Sequence, residues 1–283
     1  MALATCAAFP ELDDDDQLLR VALREANIDA QPVVWDDETV DWTRFALTVV
    51  RDTWDYVERR DEFLTWASRV PLLCNDAAVL RWNTDKLYLD ELQRRGVPIV
   101  PTTWLMPGDD IAALRLDGEL VVKPAISAGS RNTERYSAAD EDEARQHVAR
   151  LLAAGNTVMV QPYLHAVEAQ GETALLYIDG EYSHAARKAA ILVRRNVAGD
   201  ALFAAESISA HVATDAERAA GDRVLTALPF DATSLLYARV DLVPAADGTP
   251  LVLEVELAEP SLFFRCDTHA AARMAEAIHK RLL

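Results

Sequence analysis

The chain has 283 residues, 46 of them acidic and 28 basic, and a formal net charge of −18 at pH 7. With no basic run of any length, that balance argues against a nucleic-acid partner and against binding to an anionic membrane surface. A hydrophobic share of 51% beside 26% charged residues is ordinary for a globular protein with a real core, in one large domain or two to three small ones.

No apolar run approaches the ~20 residues that span a bilayer. The N-terminus lacks a basic stretch followed by an apolar one, so no signal peptide is visible. Cys6, Cys74 and Cys266 have neither metal-ligand nor disulfide-framework spacing. Free thiols in a reducing cytoplasm are the expectation. The six histidines, His184 among them, show no ligand spacing and are expected to be structural or exposed.

In chain order, Leu3–Cys6 reads as a short apolar strand. The acidic run Asp13–Asp16 suits the N-terminus of a helix carrying Leu18, Leu19, Ala22, Leu23 and Ala26. Pro32–Trp35 and Phe45–Val50 follow as strands, and Asp61–Val70 as a helix. Strands alternating with helices imply a parallel sheet whose C-terminal edges gather ligands. Arg51 sits at such an edge, ahead of Trp54, Asp55 and Tyr56. It could hold a substrate carboxylate, or pair with Asp52 or Asp55 instead. Trp54 is the tryptophan expected to face a substrate.

Leu80–Val100 reads as loop, helix and strand, with Asn83 or Thr84 capping Asp85–Arg95 and Pro98 opening the strand. Lys86 then lies in the first helical turn, unfavourable for the dipole unless it meets an anion. Glu119–Pro124 is a strand carrying an inward Lys123. The loop after it, Ser127 to Arg131 with Gly129 and Ser130, could offer backbone N–H groups to phosphates, although it matches neither the P-loop nor the dinucleotide fingerprint. Ala138–Ala154 is an amphipathic helix, and Thr157–Val160 is a strand ending in Gln161-Pro162-Tyr163-Leu164. Glu172–Ile178 and Tyr182–Lys188 form a hairpin across Asp179-Gly180. Ala213–Ala227 and His269–Leu282 are helices.

Between those last helices lie Ser234–Val243 and Leu251–Glu256, a strand pair in which apolar residues alternate with charge. A period of two puts Arg239 and Asp241 on one face, and likewise Glu254 and Glu256. Carboxylates in apolar runs need a cation, and a hard divalent metal suits them. A solvated outer face is the alternative for the pair taken alone.

The order of these features resembles the ATP-grasp ligases, the superfamily of D-alanine–D-alanine ligase and glutathione synthetase, from about Asn83 to Ser261. Trp82-Asn83-Thr84-Asp85-Lys86, Gly96-Val97-Pro98, Asp52–Tyr56 and Leu257–Phe264 give a narrower likeness. They resemble the small bacterial ligases that include the D-cycloserine-forming group, the O-ureido-D-serine cyclo-ligases. The resemblance implies an α/β ATP-grasp fold: an N-terminal parallel-sheet substrate domain (1–84), a lid subdomain (85–160) and a C-terminal mixed-sheet subdomain (161–283).

By the same resemblance, ATP would meet Lys86, Lys123 and the Ser127, Gly129 and Ser130 loop through its phosphates. The hinge Gln161, Tyr163 and Leu164 would hold adenine, and Glu172 or Glu168 the ribose. Lys188 would reach the γ-phosphate, and Asp241, Glu254 and Glu256 would hold two magnesium ions. Arg239 would stabilise charge on the substrate. Arg51, Trp54, Asp55, Tyr56 and Ser261 would contact an amino-acid-like substrate, with loops near Arg194, Arg195 and Ser261–Phe264 setting its choice. Glu256 departs from the asparagine many members carry, and Ala258-Glu259-Pro260-Ser261 departs from the glycine-containing loop of D-alanine ligases.

The implied reaction turns a carboxylate into an acyl phosphate, which a nitrogen nucleophile then displaces to give a C–N bond, ADP and phosphate. Cyclisation to D-cycloserine is one form of it. Alternatives are a ligase with a linear product, a small-molecule kinase, and a nucleotide-binding module without turnover. A homodimer is the default assembly.

Overall fold

The computed structural model describes residues 1–112, 114–129, 131–189 and 207–283. Its first sheet is parallel, in the order β2-β1-β3-β4, from β1 (Ala2–Thr5), β2 (Gln31–Val34), β3 (Thr48–Val50) and β4 (Leu73–Cys74). Helices α1 (Asp14–Glu25) and α2 (Arg60–Ala67) make its crossovers. Asp13 caps α1 by accepting from Asp16 N, and Asp14, Asp15 and Asp16 fill the first turn, as the acidic run predicts.

Residues 77–88 differ from expectation. Ala77–Asn83 is a helix, α3, because Asp76 caps it by accepting from Ala78 N and Val79 N. The next helix, α4, runs Tyr88–Arg94, so Lys86 lies in the link before it and not in its first turn. Asn83 caps nothing. Its amide donates to Val255 O at 2.7 Å and accepts from Leu257 N at 2.7 Å. The strand expected at Pro98 reduces to one parallel bridge from Ile99 to Val252.

The second sheet is antiparallel, in the order β5-β8-β6-β7, from β5 (Thr103–Leu105), β6 (Leu120–Pro124), β7 (Glu134–Tyr136) and β8 (Val158–Pro162). Helix α5 (Glu141–Ala153) covers it through a core of its own that includes Leu120, Val122, Tyr136, Val148 and Val158. The short helix α6 (Ala166–Gln170) leads to the third sheet.

That sheet is antiparallel in the order β11-β10-β9-β12-β13, from β9 (Glu172–Ile178), β10 (Glu181–Lys188), β11 (Ile208–His211), β12 (Tyr237–Pro244) and β13 (Pro250–Glu256). The turn between β9 and β10 takes positive φ at both Asp179 and Gly180, as a two-residue hairpin requires. Helices α7 (Asp215–Ala227) and α8 (Ala270–Leu282) pack on this sheet. Leu3, Leu19 and Val49 of the first layer share one apolar core with Leu176, Phe263, Met274 and Ile278 of the last. Among the described residues no helix is long and apolar enough to cross a membrane, and all three cysteines are free thiols.

Gly221 sets how closely α7 lies on the sheet. A methyl group there would stand 2.2 Å from Tyr177 Oη and 2.6 Å from Leu175 Cδ1. Gly221→Ala is expected to lower stability by ~1–3 kcal/mol through overpacking, although alanine is the better helix former. Denaturant unfolding checks this; an unchanged or raised midpoint overturns it.

Candidate active site

A cavity of about 480 Å³ opens between the second and third sheets and reaches the first. One end is apolar. Val100, Val121, Tyr163, Val167 and Val243 form a single buried cluster there, joined by Leu164 and Leu253. Gln161, Pro162, Tyr163 and Leu164 edge that slot, at the end of β8. Gln161 Nε2 is tied to Thr102 Oγ1 at 2.9 Å. The Tyr163 ring packs under Arg135, whose Cζ lies 3.5 Å from the ring centroid.

Charged groups meet in the middle of the cavity. Register pairs Asp241 with Glu254, Arg239 with Glu256, and Lys188 with Glu172. Arg239 donates to Asp241 through Nε at 2.9 Å and Nη2 at 3.0 Å, and also pairs with Glu256. Lys188 Nζ lies 3.1 Å from both Glu172 Oε2 and Asp241 Oδ2. Lys86 Nζ lies 2.9 Å from Glu254 Oε1 and donates to Ser127 O at 2.6 Å. Gly129, next in that loop, has φ +59°, a value costly for other residues.

Lys123 is the exception. It is buried in the same wall, yet among the described residues its ammonium has neither a hydrogen bond nor an ion pair within 4 Å. Burial pushes its pKa down to about 8, with Lys86 and Lys188 adding to that and Glu254 and Glu172 opposing it. Asp241 moves the other way: burial raises it, but Arg239 and Lys188 hold it below the ordinary carboxylate range. Burial lifts Glu256 to about 7, helped by Glu254 and Asp241 and opposed by Arg239. A buried cation lacking a partner beside an apolar slot fits a ligand that is planar and apolar at one end and polyanionic at the other.

The carboxylate wall fits a hard cation in donor type. Asp241, Glu254 and Glu256 are nevertheless each paired with lysine or arginine. Among the described residues, the three carboxylates whose oxygens all lie within 4.8 Å of one another are Asp13, Asp16 and Asp52. That trio is tied up internally. Asp16 holds Arg51, Asp52 accepts from Asp13 N at 2.7 Å, and burial with the Asp16 charge lifts Asp52 to about 8.

The far end of the cavity is lined by Phe9, Trp54, Tyr56, Glu259, Ser261 and Phe263, with Asp15 and Arg265 beside them. Its floor is the segment after β13. Six successive carbonyls there each accept from a side chain. Leu257 O takes Asn75 Nδ2 (2.7 Å), Ala258 O takes Tyr237 Oη (2.8 Å) and Glu259 O takes Trp54 Nε1 (3.1 Å). Pro260 O takes Arg51 Nη2 (2.9 Å), Ser261 O takes Arg239 Nη1 (3.1 Å) and Leu262 O takes His184 Nε2 (3.0 Å). Asp15 then receives the N–H groups of Phe264 at 2.9 Å and Arg265 at 3.2 Å.

Three expected site residues lie off the cavity. Arg51 is 1% exposed, with Nε 2.8 Å from Asp16 Oδ2, because the 257–262 segment covers the strand edge on which it sits. It touches no ligand space, and its partner is neither Asp52 nor Asp55. Asp55 accepts from Trp35 Nε1 at 2.9 Å and pairs with Arg59 at 2.7 Å. Glu168 pairs with Arg135 at 2.7 Å and accepts from Tyr163 Oη at 3.1 Å, so of the two expected ribose-binding acids Glu172 is the one in the cavity wall. Lys86, Lys123, Ser127, Gly129, Gln161, Tyr163, Leu164, Glu172, Lys188, Arg239, Asp241, Glu254, Glu256, Trp54, Tyr56 and Ser261 all line it. Ser130, Arg194 and Arg195 lie outside the described residues.

Sequence reasoning missed Glu259 and His184. Glu259 is buried, hydrogen-bonded to Tyr56, and raised to about 8 by burial and then by Glu256. A carboxylate between Ala258 and Pro260, in an otherwise apolar run, was its available signal. His184 had none, since a β-bulge decides where it points.

Residues 1–75 match the family described as the N-terminal domain of D-cycloserine synthetase DcsG. The whole chain is 39% identical to the cycloserine biosynthesis protein DcsG of Streptomyces lavendulae, covering 100% of this chain and 98% of that one. A crystal structure of D-cycloserine synthetase DcsG superposes with a TM-score of 0.88 at 38% identity, over 100% of this chain and 99% of that one. D-alanine–D-alanine ligase from Bacillus anthracis shares the fold at a TM-score of 0.66 and 16% identity, over 100% and 97% of the two chains. An ATP-grasp ligase, PsnB, shares it at 0.66 and 17%, over 99% and 98%. The chain has the ATP-grasp fold and belongs to the DcsG family.

Proposed function

We propose that the protein is an ATP-dependent ligase that activates a substrate carboxylate as an acyl phosphate and closes a C–N bond, converting O-ureido-D-serine to D-cycloserine. The observation that carries this reading is the convergence of Lys86, Lys123, Lys188 and Arg239 on one cavity wall, with the Lys123 ammonium unpaired among the described residues. Full-length likeness to DcsG supports the substrate choice.

In this reading the apolar slot takes adenine against Val121, Val167 and Leu253, and Glu172 accepts from the ribose hydroxyls. Lys86 and Lys123 neutralise phosphate oxygens, and Lys188 serves the phosphoryl group in transfer. Asp241, Glu254 and Glu256 are the oxygen ligands available to magnesium, which when bound neutralises phosphate charge and aligns it. The substrate lies at the Trp54, Tyr56 and Ser261 end. Its carboxylate oxygen takes the γ-phosphoryl group and ADP leaves. Nitrogen then attacks the acyl carbon and loses its proton, and phosphate leaves with that oxygen; water cleaves the N-carbamoyl group, which departs as carbon dioxide and ammonia and leaves D-cycloserine. Arg239, held by Asp241, Glu256 and Ser261 O, presents its guanidinium where negative charge gathers on the acyl oxygen.

Purified protein given ATP, magnesium and O-ureido-D-serine is expected to release ADP and phosphate together with a cyclic product, and to yield a hydroxamate when hydroxylamine is added. A linear product, a stable phosphorylated product, or nucleotide binding without turnover would each replace this reading. Arg239→Ala is expected to lower kcat by at least ~100-fold while a non-hydrolysable ATP analogue still binds; normal kcat removes that role.

Lys123 also sets a pH dependence. Its pKa of about 8 in the free protein means that the charged, phosphate-binding form is present below that pH and is lost above it. The share of analogue affinity that Lys123 carries is therefore expected to fall by up to ~10-fold per unit above pH 8. Lys123→Met should bind more weakly and lose the inflection. Calorimetry across pH 6.5–9.5 measures both, and a flat wild-type profile contradicts the assignment.

A further inference from the structure

Phe263 lines the cavity in a left-handed conformation, φ +50° and ψ 45°, a region unfavourable for an aromatic residue unless its surroundings impose it. The Arg239 guanidinium carbon lies 5.3 Å from the centre of its ring. Immediately before it, Leu262 O meets His184 Nε2 at 3.0 Å. A carbonyl only accepts, so His184 Nε2 carries the proton there. The other ring nitrogen meets Ser183 Oγ at 3.0 Å, and Arg273 Nε of α8 donates to that hydroxyl at 2.9 Å. Arg273 is held in turn by Asp267 at 2.9 Å. Burial keeps the imidazole below its usual pKa, which favours the neutral ring.

The backbone shows why His184 points this way. The β9–β10 register shifts between Tyr182 and His184, leaving Ser183 as the extra residue of a bulge. Bulges re-aim side chains, and this one delivers a buried imidazole to the loop.

We propose that His184 is a positioning residue for the ligation step: by bonding Leu262 O it fixes the left-handed turn at Phe263, and thereby the seat of Arg239 over the substrate. The inference rests on the ligase reading above. His184 touches no cavity space itself. It acts through the loop whose next carbonyl back, that of Ser261, is bonded by Arg239.

The test compares wild type, His184→Leu and His184→Gln, where leucine removes the donor and glutamine restores one. In His184→Leu, kcat is expected to fall ~10- to 100-fold, with calorimetric affinity for a non-hydrolysable ATP analogue and magnesium within about twofold of wild type. His184→Gln should recover a substantial part of kcat. Wild-type turnover in the leucine variant, equal losses of kcat and nucleotide affinity, or no recovery with glutamine each overturns the proposal. If wild type itself shows no substrate-dependent ADP formation, the ligase reading fails separately. Crystal structures of the variants then decide: a left-handed Phe263 retained in His184→Leu overturns the role of His184, and its loss there with return in His184→Gln supports it.

Discussion

The cavity floor depends on one constraint. The peptide carbonyls from Leu257 to Leu262 have no strand or helix to bond, and buried carbonyls need donors. Side chains supply them all: Asn75, Tyr237, Trp54, Arg51, Arg239 and His184. These residues come from the first sheet's C-terminal edges and from β10 and β12. The far end of the cavity therefore has a shape that neither half of the chain can produce alone. Arg51 belongs to this set. Its charge is matched by Asp16, and its second amino group holds Pro260.

The second organising feature is internal neutralisation. Arg239 and Lys188 share Asp241, Lys188 also holds Glu172, and Lys86 holds Glu254. Removing any one partner would leave a buried charge, so the cluster is costly to alter singly. At ~3 Å from one another, these cations and carboxylates hold each other gathered and desolvated, which is the form of a preorganised site. Among the described residues Lys123 stands outside these pairs, and burial, with Lys86 and Lys188 adding to it, depresses its pKa.

Much of this was legible in the sequence where local chemistry dictates structure. Asp179-Gly180 gives the hairpin turn, and Glu172–Ile178 is found with the expected bounds. The alternation of Arg239, Asp241, Glu254 and Glu256 correctly put them on one wall. Long-range burial was not legible. Arg51 looked available because nothing nearby in sequence covers it; its partner carbonyl is 209 residues away. Asn83 looked like a cap, but its amide is taken by β13 and the residue after it. Strand β7 and helix α6 were missed because three and five residues carry too little periodicity. His184 was hidden by the bulge, which sequence alternation cannot reveal.

The apolar core shared by Leu3, Leu19 and Val49 with Leu176, Met274 and Ile278 has a consequence for recombination. Residues 1–75, which match a family unit by themselves, do not make an exchangeable cassette. A chimera carrying that stretch from a relative would have to preserve the contact surface of α8, the donors to Glu259 and Pro260, and the acceptor for Phe264 N. Single positions in this stretch are therefore easier to exchange than the whole segment.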